Sequence, residues 1–453
     1  MRTWFLVTGV VLVSLASCSN DSPASASLTQ VDLKSSPAHL LPGSLITLRP
    51  YFRAGTAHID PDVGPVESGR AYVVGPFASA RRYTLTVVDG LNTSAKTIDV
   101  PFRYREQVTQ LDASTIARSE HAAVSLQDGT MLVVGGRSTG VAANSTAEQY
   151  DPTRFSHVPV GNLSIGRRDP QVVVEPQGKG GELAALSFGG AAQEPIPGAG
   201  TAVERWNSQQ LGWSIVGNLS VTRSRHTATR LADGSVLVLG GEAAGSDPTR
   251  LAGELWTATG SRATLGGIAT HRVGHTATML VDNRVLIVGG VDAIRGQPIA
   301  TAEIFDPATE TMQPAGTLAV ARSAHGAVAL GNGRVLVIGG TDGISAVRAC
   351  ELWDPVTQTF SATGSLLQAV TEVRAVQGGS GEVLVIGGQT GTRGASSMMQ
   401  AWSEQTGEFR VFGFGLPAPR SGHSLTVLED GRVLLLGGDA GADFPTPAAW
   451  RID

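Results

Sequence analysis

At 453 residues, with a formal net charge of -5 and no run of like charge, the chain is too long for one compact core of ordinary size. It also offers no basic surface for nucleic acid. With 57 glycines, 42% hydrophobic and 16% charged residues, it reads as an all-β protein of many short strands and tight turns. Its only lysines are Lys34, Lys96 and Lys179, so arginine is the ordinary basic residue here and by itself weak evidence of a site.

The N-terminus carries Arg2, an apolar run from Trp4 to Leu15, and then small residues. That run is too short to span a bilayer and has the layout of a secretory signal peptide. It ends Leu15-Ala16-Ser17-Cys18, which resembles the bacterial lipobox, where cleavage precedes the cysteine and a lipid is attached to its thiol. The resemblance implies a signal peptide over 1–17, a lipidated Cys18 and membrane attachment. With Ser19 rather than Asp next, it implies sorting to the outer membrane. Cys350 is then left without a disulfide partner and is expected to be a buried thiol.

Residues 18–36, rich in Ser, Ala, Asp and Asn, read as a flexible tether. From 37 to 103 the pattern turns to alternating strands: Ser44 to Phe52, Ala71 to Val74, a run with Tyr83, Leu85 and Val87 on one face, and one with Ile98, Val100 and Phe102. Asp89-Gly90 supplies the turn between the last two. Short strands without a helix predict a small β-sandwich, and Arg82 to Val87 resembles the closing strands of Ig-like or PKD-like spacer domains.

From 104 to 453 the chain repeats. Apolar strands end in glycine pairs at Gly135-Gly136, Gly189-Gly190, Gly240-Gly241, Gly289-Gly290, Gly339-Gly340, Gly387-Gly388 and Gly437-Gly438, a period near 50 residues. Each pair allows the backbone to run beside another strand where a Cβ would collide. Six residues upstream lie hairpin turns such as Asp128-Gly129 and Asp233-Gly234, joining strands a and b. Strand c carries a Glu with an aromatic two residues on, as in Glu303 with Phe305. The glycine pair, the downstream aromatic and an Arg-x-x-His opening together resemble bacterial Kelch-repeat lipoproteins, whose repeats form a propeller like the central domain of galactose oxidase. The resemblance implies a seven-bladed propeller. The second unit departs from it at Pro170, and the sixth at Val370 and Val373 in place of Arg and His.

The repeated Arg-x-x-His gives Arg118 and His121, Arg223 and His226, Arg272 and His275, Arg322 and His325, Arg420 and His423. Equivalent positions of a propeller lie around a ring too wide for one ion, so no metal is expected from these histidines. The sixth unit loses the Arg and the His, and also has Gln400 where the first five have Glu148, Glu204, Glu254, Glu303 and Glu351. This joint loss predicts a buried hydrogen-bonded cluster in each complete unit. Galactose-oxidase copper chemistry is not expected, because the repeat strands hold one tyrosine, Tyr150, and Cys350 takes a place held by Ala elsewhere. No cofactor and no catalytic set stand out.

The chain is therefore expected to act as a binding module, with a sugar-active enzyme of the sialic-acid mutarotase type as the alternative. The resemblance to Kelch propellers places Arg118, Arg223, Arg272, Arg322 and Arg420 at the strand-a entry, with Arg137, Arg250, Arg295 and Arg393 on the b-to-c loops of the same face. Arginine's planar fork suits carboxylates, so the expected partner is a protein or an acidic glycan. Finally, the chain ends at strand c of the last unit. Val108 to Arg118 has the register of the inter-unit stretches and is expected to supply the missing strand.

Overall fold

The computed structural model describes residues 31–453 except 43, 115, 179–180, 193–199, 243–252, 263–270, 392–393 and 442–443. The signal peptide, Cys18, Arg250 and Arg393 lie outside the described residues.

The described residues are all β, in two bodies. The first begins earlier than its composition implies. Asp32–Ser36, within the stretch read as tether, is a strand paired antiparallel with Ile46–Tyr51, which pairs in turn with Tyr72–Val74. Leu33 is its buried residue, and one apolar anchor with a sheet edge to join is enough to order a polar segment. A second sheet of four strands contains the long hairpin Arg81–Asp89 and Asn92–Val100. Leu33, Leu48, Ile59, Tyr83, Leu85 and Phe102 share one core between the two sheets.

The second body is a β-propeller. Seven four-stranded antiparallel sheets follow one another among the described residues, most of them built from consecutive strands. In the fifth, for example, Gly326–Ala329, Val335–Ile338, Cys350–Asp354 and Thr359–Thr363 pair in order from strand a to strand d. Every strand b is buried along its whole length, from Met131–Val134 to Val433–Leu436. Each is covered by a neighbouring sheet on both faces, which is why these strands read as unbroken apolar runs rather than alternating ones. The inner a strands pack side by side, and the last, Ser424–Val427, meets the first, Ala122–Ser125. In the seventh sheet strand d is Val108–Leu111, paired with Ala449–Ile452, so the two ends of the repeat region share one sheet and strand c is covered by a strand d as in the other six.

The two bodies meet at the a-to-b hairpins of the sixth and seventh sheets. The Tyr104 hydroxyl donates to the Gly431 carbonyl at 2.7 Å and accepts the Gly379 amide at 3.0 Å. A Cβ at Gly431 would lie 2.7 Å from the Phe102 ring, so these hairpin glycines leave room for the first body.

Candidate functional site

The repeated arginines are not rim residues. Arg118, Arg223, Arg272, Arg322 and Arg420 are 0 to 3% exposed, and the expectation that they contact an acidic ligand is corrected by this burial. Four of them send a guanidinium N–H to the carbonyl of the first glycine in their own sheet's pair, at 2.7 to 3.1 Å. The same four pair with the strand-c glutamates: Arg118 with Glu148 at 3.5 Å, Arg223 with Glu254 at 3.0 Å, Arg272 with Glu303 at 2.9 Å, and Arg322 with Glu351 at 2.8 Å. Arg167 with Glu204 makes a fifth pair at 2.8 Å. Burial pulls these guanidinium groups below their ordinary range, and the adjacent carboxylate opposes it.

The exceptions obey the same chemistry. In the sixth sheet Val370 removes the charge, and Gln400 retains the other task of the glutamate by accepting the Leu367 amide at 2.6 Å. Glu351 accepts the Ala319 amide in the same way at 2.8 Å. In the seventh sheet Trp450 takes the glutamate's register, opposite Leu435, and Arg420 lies 4.3 Å over its ring. That guanidinium is lowered to about 10 by burial, with Asp439 opposing. A cation–π contact thus replaces the ion pair.

The histidines do not join these clusters, contrary to the expectation raised by the sixth unit. Each faces the preceding sheet, where its ring fits against that sheet's glycine pair: a Cβ at Gly189 would meet the His226 ring at 2.5 Å, and one at Gly289 the His325 ring at 2.9 Å. The second glycine of every pair donates its N–H to the carbonyl opening the next sheet, from Gly136 to Arg167 and round to Gly438 and Arg118, both at 2.8 Å. Three imidazoles are hydrogen-bonded to a hydroxyl on the preceding inner strand: His121 with Ser424 at 3.0 Å, His275 with Thr227 at 2.9 Å and His325 with Thr276 at 3.0 Å. Burial, with repulsion from the nearby arginines, lowers His226, His275, His325 and His423 to about 3, so all four are neutral.

What varies is the residue between them. The second residue after each opening Arg or Val is Glu120, Asp169, Arg225, Gly274, Ala324, Glu372 or Gly422, all with φ of 50° to 62°. Six of the seven backbones link in two arcs round the axis: Glu120 donates to Gly422 at 2.8 Å and Asp169 to Glu120 at 2.9 Å, and Gly274 donates to Arg225 and Ala324 to Gly274 at 3.1 Å. Left-handed backbone costs a non-glycine residue roughly 1 kcal/mol or more, and these hydrogen bonds over-determine it. The fold therefore gives all seven positions one backbone conformation and leaves the side chain open to choice.

All of these but Gly422 line an axial cavity of ≈ 520 Å³, together with Arg168, Gln171, His226, Thr278 and Arg374. The Asp169 carboxyl is pushed up to about 6 by burial and by the charges of Glu120 and Glu372, with Arg374 and Arg168 opposing. Burial also raises Glu372. The sequence signal for this site was the one unlike position inside an otherwise repeated Arg-x-x-His.

Around the mouth, the stretch after each opening Arg is bridged to the start of a b-to-c loop, as Ser119 with Arg137 and Ser323 with Thr341, so both sets of loops share this face. Four of its described arginines have acidic partners: Arg137 and Arg168 on Glu120, Arg225 on Glu242, Arg295 on Asp292. Three of the described loop tips are apolar, with Ile294, Ile344 and Phe444 60%, 95% and 64% exposed.

Residues 272–311 and 321–366 match the Kelch motif. These two stretches carry the Kelch motif. No curated protein matches the sequence. Among solved structures, a fungal alcohol oxidase of the AA5 family, in complex with copper, is similar over 77% of this chain and 76% of its own, with a TM-score of 0.61 and 14% identity. At that identity the likeness shows a common fold and nothing of the chemistry. Among the described residues no group of three or more His, Cys, Asp or Glu is placed to hold a metal.

Proposed function

We propose that this Kelch propeller is an exported lipoprotein, cleaved after residue 17 and anchored through Cys18, that works as a binding module at the cell envelope. In this reading the first body is an Ig-like spacer and the second has seven blades, the number of four-stranded sheets in its ring. The partner is a protein docking on the face formed by the d-to-a and b-to-c segments. The observation that carries this is the exposed apolar tips Ile294, Ile344 and Phe444 gathered on the one face where the repeats also differ from one another in their polar residues. An acidic peptide or glycan gripped by the repeated arginines is disfavoured, because those arginines are buried and held within their own sheets.

The test is cross-linked capture from envelope extracts by wild type, by Ile294→Asp with Ile344→Asp, and by Val281→Asp at an a-to-b hairpin, with Cys18→Ser followed by membrane fractionation. Loss of one specific partner in the rim variant alone, and release of the Cys18→Ser protein from membranes, are expected. Capture indifferent to the rim changes would overturn the docking face, and palmitate label absent from wild type would overturn the anchor.

One observation favours the sugar-active alternative: a cavity of unlike polar groups around a carboxyl at about 6, the range that suits acid–base work. Anomer exchange of sialic acid followed by NMR, accelerated by wild type and not by Asp169→Asn, would establish it.

A further inference from the structure

The ionisable groups of the axial cavity divide into matched and unmatched sets. Glu120 holds Arg168 at 3.2 Å and Arg137 at 3.3 Å, and Arg225 is held by Glu242 at 2.7 Å. The carboxyls of Asp169 and Glu372 have no hydrogen-bond or ion-pair partner among the described residues. The Arg374 guanidinium gives one hydrogen bond, from Nε–H to the His423 carbonyl at 3.0 Å. His226 also borders the cavity, but its ring packs against Gly189 of the preceding sheet with both nitrogens buried there, so it presents no polar atom to a ligand. Asp169, Glu372 and Arg374 are half-buried in the cavity wall with hydrogen-bonding capacity that no described side chain takes up, and a ligand that fills it replaces water there.

The charges select the ligand. A simple cation suits Asp169 and Glu372 but is repelled by Arg374, and a simple anion has the reverse problem. A group carrying both charges meets all three. Among the described lining residues the imidazoles are the only aromatic rings, so nothing offers a broad flat face to stack on. The volume of ≈ 520 Å³ admits a small molecule with some water.

We propose that the axial cavity binds a small zwitterion, an ammonium and a carboxylate on a short frame as in an amino acid, its ammonium on the Asp169 and Glu372 side and its carboxylate on the Arg374 side. This adds a small-molecule site to the binding reading above and stands separately from any protein partner on the same face.

The site has a pH signature. Asp169 faces Glu120, Glu372, Arg168, Arg225, Arg374 and the neutral His226, and with its carboxyl at about 6 it is largely protonated below that pH. An ammonium prefers the ionised form, so affinity rises from about pH 5 to about pH 7 and binding near pH 6 releases protons.

Calorimetry on the purified protein, with the common amino acids, 4-aminobutyrate, n-butylamine and butyrate as probes, decides the matter. At least one zwitterion is expected to bind about tenfold or more tightly than either single-charge probe, and Asp169→Asn, Glu372→Gln and Arg374→Met each to lose about tenfold or more at unchanged melting temperature. If a variant fails to fold, proton release by wild type, read in two buffers of different ionisation enthalpy, serves in its place. No zwitterion binding at neutral pH, equal binding of n-butylamine, or binding indifferent to pH and to these substitutions would overturn the proposal.

Discussion

At the scale of single residues, the buried Arg and Glu pairs act within one sheet and are sensitive to partial removal. Arg272 holds the Gly289 and Thr301 carbonyls at 2.8 Å as well as Glu303. Arg272→Ala is expected to cost about 3–5 kcal/mol by leaving a carboxylate and two carbonyls unpaired, while Arg272→Met with Glu303→Leu costs clearly less, as urea unfolding of both variants will show. The histidines set the response to acid. Their folded values of about 3 lie below the ordinary 6.5, so below about pH 6.5 the unfolded chain takes up protons that the folded chain refuses. Asp169, raised to about 6, and Glu372, also raised, act in the opposite direction, but they are two groups against five imidazoles, since burial lowers His121 as well. The melting temperature should therefore fall continuously from about pH 6.5 toward pH 3 and be flat on this account above it. A melting temperature that holds constant across that acid range would contradict neutral buried imidazoles.

At the scale of elements, neighbouring inner strands are matched through the residue directly after each histidine. Where the next sheet has a histidine, the preceding strand can supply a hydroxyl, as Thr227 does for His275 and Thr276 for His325. Where the sixth sheet has Val373, the preceding strand has Gly326, and a Cβ there would sit 2.9 Å from a Val373 methyl. The departures at these two positions are thus one complementary change seen from two sheets. Gly326→Thr alone and Val373→His alone should each destabilise, by about 1–3 kcal/mol, through overpacking and an unpaired imidazole respectively. The double variant should recover much of the loss, and additive effects in the double-mutant cycle would rule out the pairing.

At the scale of the molecule, closure depends on four residues far from the sheet they complete. Val108–Leu111 hydrogen-bonds to Ala449–Ile452, and Thr109 donates to Asp453 at 2.9 Å. A chain starting after Leu111 leaves the seventh sheet with an open edge and exposes Trp450 and Ile452, so it should melt lower, lose cooperativity and associate through that edge. Sedimentation and calorimetry of the truncated protein check both parts, and an unchanged cooperative monomer would mean that the strand is dispensable.

Much of this architecture was legible in the residues. The b strands are apolar throughout because they are covered on both faces, the glycine pairs recur because a Cβ would strike the next sheet, and the register of Val108 to Arg118 comes from the repeat. These are local demands that every unit makes alike, so repetition displays them. The strand Asp32–Ser36 was not legible, because a polar segment with one buried leucine becomes a strand only where another sheet offers an edge. Nor was the burial of Arg118 and its equivalents, since a charged residue at a loop entry reads as exposed until its glutamate and glycine carbonyl are seen to enclose it. The axial cavity lies furthest from the sequence. Glu120, Asp169, Arg225 and Glu372 stand about 50 to 250 residues apart along the chain, and only the closing of the ring, through hydrogen bonds no single repeat contains, brings their side chains round one axis.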